Sequence, residues 1–120
     1  MSKQRTPVRL EPYAGLTFVP RFEYGEMCQL AEVSGSKDGT NLGVGFARFT
    51  KARIPWTIHY DEVLIGIEGL LKVHAGGKVH EIGPKDSLWL PEGTELVYEA
   101  EYALTAYAVH PLDWAVRMKG

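Results

Sequence analysis

Thirteen glycines and seven prolines are scattered along 120 residues, so that few stretches are long enough for a helix of average length. The intervals between them are rich in β-branched and aromatic side chains, which suit a pleated, half-buried surface. A chain cut this way has room for strands and turns and for little helix. The expectation is an all-β sandwich or barrel.

Size and charge narrow the field. At 120 residues the chain has material for one domain, residues 1–120. Thirteen basic against fifteen acidic residues give a net charge of −2, which offers no electrostatic footprint for nucleic acid or an anionic bilayer. No apolar run approaches the roughly 18 residues of a membrane span, and the first ten residues carry no apolar signal segment. The single cysteine, Cys28, has no partner for an internal disulfide and reads as an inert buried thiol. A cytoplasmic protein binding neither nucleic acid nor membrane is expected.

Along the chain, residues 1–14 are polar and basic, with Pro7 and Pro12. They read as a loose arm, or as an edge strand received by a partner subunit. Residues 27–33 and 42–50 are the first core strands, the second with Val44 and Phe46 on one face and Gly45, Ala47 and Phe49 on the other. Gly76 and Gly77 separate two short apolar runs and predict a two-residue hairpin. Its register sets Leu71 opposite Ile82, Val73 opposite His80 and Ala75 opposite Lys78, with Lys72–Glu81 and His74–Val79 on the other face. His74 and His80 then point to opposite sides and cannot share a metal. Residues 94–110 fit a helix or strands equally well. Residues 112–119 suggest a short terminal helix with Asp113 ahead of Trp114.

The chemistry concentrates in one block, Trp56-Thr57-Ile58-His59-Tyr60-Asp61-Glu62, leading into an apolar strand. With a period of two, Ile58, Tyr60, Glu62, Leu64 and Gly66 share a face. That sets a carboxylate among apolar neighbours, where burial raises its pKa. Tyr60 and His59 are its nearest partners, and Arg48 or Tyr98 can arrive from another strand. The alternative, with Glu62 in solvent and His59 on a loop, stays open. Paired cysteines, a phosphate-cradling glycine loop and a nucleophile elbow are absent.

The same block resembles the cupin superfamily, and within it the small cupins similar to EutQ, the ethanolamine-utilisation protein. Glu62 and Gly69 match the last two elements of the first cupin motif, and Pro91-Glu92-Gly93 the Pro-x-Gly of the second. The string from Trp56 to Glu62, with Trp114 following His110-Pro111, matches the EutQ-like branch. The resemblance covers residues 42–114 and implies a jelly-roll barrel (a double-stranded β-helix) with its core at residues 42–110. It also implies that residues 94–110 form two strands bending near Ala100–Glu101. The metal-binding histidines of other cupins fall on Trp56, Ile58 and Leu96, which implies no metal and no cofactor at the usual place.

What the resemblance implies is a small-molecule pocket centred on Glu62, with Tyr60 and His59 as catalytic partners and Trp56, Leu96, Tyr98 and Tyr107 lining it. The family is tied to ethanolamine utilisation and microcompartments, with an acetate-kinase-like activity, so a short carboxylate is the expected ligand. Glu62 would act as general base or nucleophile. Two alternatives are a non-catalytic binding or assembly module and a metalloprotein with a rearranged His59/Glu62 site. Small cupins commonly form homodimers, and residues 42–50 with the N-terminal arm are expected to offer the edges.

Overall fold

A computed structural model describes residues 5–119. Eight strands carry the fold: β1 (Val19–Pro20), β2 (Cys28–Ser34), β3 (Gly43–Thr57), β4 (Asp61–Gly69), β5 (Leu71–Ala75), β6 (Lys78–Ile82), β7 (Ser87–Leu90) and β8 (Glu95–His110). A single α-helix, α1 (Trp114–Lys119), follows. The strand order is β1-β2-β3-β8-β4-β7, and β8 also pairs with β5, which pairs with β6. Every pairing is antiparallel.

β3 and β8 organise the molecule because each belongs to two layers. The carboxy-terminal half of β8 lies beside β4, and its amino-terminal half lies beside β5. Between the halves the inward face switches. In β3 the buried side chains are Ala47 and Phe49 before the switch, and Ala52 and Ile54 after it. In β8 they are Leu96, Tyr98 and Ala100, then Ala103 and Thr105. Lys51, at φ +46°, stands at the break in β3, between the paired positions Thr50↔Tyr102 and Ala52↔Ala100. Since one residue changes face in both partners, the register survives while the ribbon turns from one layer into the other. Residues 95–110 are thus one strand and not the two expected, with a change of face at Glu101–Tyr102, next to the expected bend at Ala100–Glu101.

The hairpin has the predicted register throughout, from Leu71↔Ile82 to Ala75↔Lys78. Gly76 and Gly77 take φ of +62° and +75°, the pair of positive angles that a primed turn demands. Leu71 and Val73 are completely buried, a contribution of about 1.5–3 kcal/mol each.

The architecture is the jelly roll expected, with one correction: the hydrogen-bonded ring of a barrel is not closed. The turn between β6 and β7 directs its backbone bonds to β4 instead. Lys85 donates to the Gly66 carbonyl and Gly66 donates to that of Asp86, both at 2.9 Å. β6 and β7 therefore remain unpaired with each other. A second correction concerns the edges. Residues 43–50 lie between β2 and β8 and are paired on both sides, so this strand has no edge to offer a partner. Residues 1–4 of the arm lie outside the described residues, and the part from residue 5 onward is not loose either. Arg9 bonds to Asp38 and to the Val33 carbonyl, and Thr6 donates to Asp38 at 2.7 Å. These bonds hold the Asp38 carboxyl well below the usual carboxylate range and raise the Arg9 guanidinium.

The outer faces of the two layers differ. Across the β5–β8–β3 layer runs a row of alternating charge, Glu81, Lys72, Glu99 and Arg53. Glu99 also meets His74 Nε2 at 2.7 Å. Across the other layer run Trp89, Val63, Ala108 and Val44, and beside them Ile65, Ala106 and Phe46. Tyr13 of the arm packs edge-on against Phe46, with ring centres 5.2 Å apart. Val63, Ile65 and Trp89 remain exposed, Trp89 by 59 %.

Candidate functional site

The alternation of β4 decides which groups face inward. Ile58, Tyr60, Glu62 and Leu64 are all buried, while Asp61, Val63 and Ile65 are exposed. The approach to β4 is held by the Pro91–Gly93 turn. Gly93 donates to the Ile58 carbonyl at 2.9 Å and Ile58 donates back to Thr94 at 3.0 Å. Asp61 accepts from the Glu92 amide at 2.9 Å. The two segments that carry the cupin-like motifs thus clamp each other, which sets the Tyr60 ring beside Glu62.

Glu62 is only 6 % exposed, and Tyr98 of β8 donates to its Oε1 at 3.1 Å from the opposite layer. Burial pushes the Glu62 carboxyl up to about 7, against the opposing pull of the Tyr98 bond and the Arg21 charge. Burial likewise raises the hydroxyls of Tyr98 and Tyr60, and takes Tyr107 to about 12. Cys28, desolvated, rises to about 11 and stays a thiol at neutral pH.

These groups border a cavity of about 340 Å³ between the layers, with Trp56, Tyr60, Glu62, Tyr98 and Tyr107 in its wall. Tyr107 reaches in because the residue opposite it on β3 is Gly45. A Cβ there would fall 2.7 Å from the Tyr107 hydroxyl and 2.4 Å from the Ala31 carbonyl. Trp114 stands against Trp56, Tyr60 and His59, with ring centres 6.3, 5.9 and 5.1 Å away.

Five of the seven residues predicted for the site meet at this cavity. His59 does not line it: its ring stacks on Trp114 at 24°, outside the wall. Leu96 is packed into the core, only 4 % exposed. Of the two groups expected to approach Glu62, Tyr98 does so. Arg48 turns away to Tyr13 and lies over the Phe18 ring. The residue that sequence reasoning missed is Arg21. Its guanidinium lies 5.1 Å from the centre of the Trp56 ring and its Nη2 is 3.4 Å from the Tyr60 hydroxyl. It sits in a connection with no periodicity, and no local signal points it inward.

The positions that hold metal in other cupins present Trp56, Ile58, Leu96 and Glu62, a single carboxylate among apolar groups. That donor set does not fit a transition metal. Among the described residues no three His, Cys, Asp or Glu side chains gather at metal-binding range.

Comparison with known proteins bears on this arrangement. The family model described as ethanolamine utilisation protein EutQ matches residues 24–116, which include both motif segments and Trp114. The chain belongs to the EutQ family. The protein named acetate kinase EutQ of Salmonella typhimurium is 27 % identical over 86 residues, covering 71 % of this chain and 38 % of the relative. The chain thus spans well under half of that EutQ relative's length. The structure of the Clostridium difficile EutQ protein matches with a TM-score of 0.68 at 23 % identity, over 72 % of this chain and 70 % of that one. An RmlC-like cupin from Shewanella frigidimarina matches with a TM-score of 0.72 at 12 % identity, over 91 % and 95 %. The EutQ domain is therefore a cupin in fold, and its relation to ethanolamine utilisation comes with the family.

Proposed function

We propose that this chain is a small-molecule-binding EutQ-family domain whose pocket is centred on Glu62. The observation that carries the reading is a carboxyl raised to about 7, buried between two layers and hydrogen-bonded to Tyr98, in a cavity walled mostly by apolar and aromatic groups. Such a group takes up and returns a proton close to physiological pH, so it supports general acid–base chemistry on a bound ligand. Tyr60 and Tyr98 supply the neighbouring hydroxyls. His59, stacked on Trp114, serves to hold that ring against the pocket. The ligand is a small organic acid drawn by Arg21, in keeping with the small-carboxylate metabolism that the relatives' name indicates. The relatives named acetate kinase are longer, the Salmonella one being matched over 38 % of its length, so the proposal for this chain stops at binding a small acid. The buried free thiol fits the reducing cytoplasm.

The test is thermal shift on the wild type and Glu62→Gln with divalent metals, short carboxylates, acetyl phosphate, ethanolamine and nucleotides. A ligand at 100 times its Kd adds about 2.7 kcal/mol, several degrees for a domain of this size. The expected result is a shift with carboxylates that weakens as pH rises through 7 in the wild type and is independent of pH in the variant. A shift with metal alone would restore the metalloprotein reading. Identical responses from both proteins would favour the assembly module, which the bare Val63–Trp89 face supports.

A further inference from the structure

The cavity is much larger than a short acid. Its 340 Å³ equals the room of about eleven waters at ~30 Å³ each, whereas acetate has only four non-hydrogen atoms. An acetate in it would leave most of the apolar wall facing water. The wall is also rich in rings. Trp56 and Trp114 meet edge-on at 83°, and Phe49 and Tyr98 meet at 5.4 Å, with Ile54 and Leu64 also in the wall.

The charges are equally specific. Among the described residues, the groups of formal charge bordering the cavity are Arg21, Glu32 and Glu62. Glu32 is at the rim, its side chain 46 % exposed and 3.9 Å from Lys37. Glu62 is buried with its hydrogen bond to Tyr98. Arg21 brings a fixed positive charge with a fork of donors, laid over an indole ring and beside the Tyr60 hydroxyl. Inside the wall there is thus one permanent cation and one carboxyl that burial favours in its neutral form. Once that carboxyl is protonated, a monoanion balances the Arg21 charge; a phosphate dianion or an amine does not.

We propose that the pocket takes an aromatic monocarboxylic acid of about ten non-hydrogen atoms, its carboxylate at Arg21 and Tyr60 and its ring among Trp56, Trp114 and Phe49. This rests on the pocket reading above and narrows its ligand in size and shape. The charged and titratable groups around Glu62 are Arg21 before β2, Cys28 on β2, Tyr60 ahead of β4, and Tyr98 and Tyr107 on β8. None but Arg21 is ionised at neutral pH. A second carboxylate entering this space therefore favours the protonated form of Glu62, and binding at pH 7.5 draws a proton from solution.

The experiment is calorimetric titration of the full chain with cinnamate, benzoate, acetate and cinnamamide, in two buffers of different ionisation enthalpy. Cinnamate is expected to bind at least tenfold more tightly than acetate and than cinnamamide, with uptake of part of a proton that Glu62→Gln abolishes. Arg21→Gln, a change on a partly exposed connection, should remove the preference of acid over amide while keeping the melting temperature. Cinnamate binding no better than acetate, or equal binding of acid and amide, overturns the inference and leaves the pocket reading standing. Failure of all four probes to bind, with no change in tryptophan fluorescence, overturns both.

Discussion

A carboxyl buried beside a tyrosine hydroxyl costs the fold most when it is ionised, and the direction of that cost is measurable. Folded Glu62 titrates near 7, above the ~4.3 of an unfolded glutamate. Between those values the folded chain holds more protons, so stability falls as pH rises through the window and the loss is complete above it. The difference amounts to about 4 kcal/mol. Asp38 and Glu99 act oppositely. Their carboxyls are lowered by Arg9 and His74, so they stabilise the fold above the unfolded carboxylate range and lose that contribution as pH falls. Melting temperature should therefore peak near pH 5 and decline towards pH 8. Glu62→Gln should remove the decline, leaving the variant more stable than wild type at pH 8 by about 2–3 kcal/mol. Parallel curves for the two proteins would refute the burial argument. At this scale part was legible: the two-residue period set Glu62 on one face with Ile58, Tyr60 and Leu64, and the strand pairing then turned that face inward and closed the solvent-facing alternative. The neighbour it acquires, Tyr98, lies 36 positions away and only pairing of distant strands brings it there. Arg21 was hidden for a related reason, since an isolated cation in an irregular connection looks solvated.

At the scale of elements, glycine does two separate jobs that mutation can distinguish. Gly77 has open space around it, so Gly77→Ala meets only the strain of positive φ, about 1–2 kcal/mol. Gly45 has ordinary strand geometry but no space, because the Ala31 carbonyl of β2 and the Tyr107 ring occupy it. Gly45→Ala must shift β3 against β2 as well as displace Tyr107, at about 3 kcal/mol. Urea midpoints at constant m-value report both costs. Ligand binding separates them, because only Gly45→Ala disturbs the cavity wall. The hairpin was fully readable because its register is set by two adjacent residues. Residues 94–110 were not, since helix and strand share their apolar spacing until β3, β4 and β5 present partners for it. The arm was misjudged because its fastening, Arg9 to Asp38, joins residues 29 positions apart.

Across the whole molecule the two outer faces predict how copies meet. The charged row of Arg53, Glu99, Lys72 and Glu81 is stable in water. The apolar rows through Trp89, Val63 and Ile65 gain by being covered. The arm covers them only as far as Phe46. A second copy meeting β4 to β4 about a two-fold axis presents the same patch to itself and closes the assembly. Light scattering should give a dimer mass for wild type and a monomer mass for Val63→Glu with Ile65→Lys, while Arg53→Glu on the opposite face leaves the dimer intact. Both altered positions are solvent-facing, so circular dichroism should be unchanged. A monomeric wild type would dismiss this interface.

The chain alone determined what depends on neighbours in sequence: a β fold punctuated by Gly and Pro, the Gly76–Gly77 turn, and which residues of β4 share a face with Glu62. These follow from backbone sterics and a period of two. The tertiary structure decided everything that depends on which distant segments meet. It took β3 out of the edge position, set His59 on Trp114 and outside the pocket, and turned Arg48 away while bringing Arg21 in. The reason is physical: local patterns fix a side chain's direction relative to its own strand, while its partners are fixed by how the strands are ordered and joined.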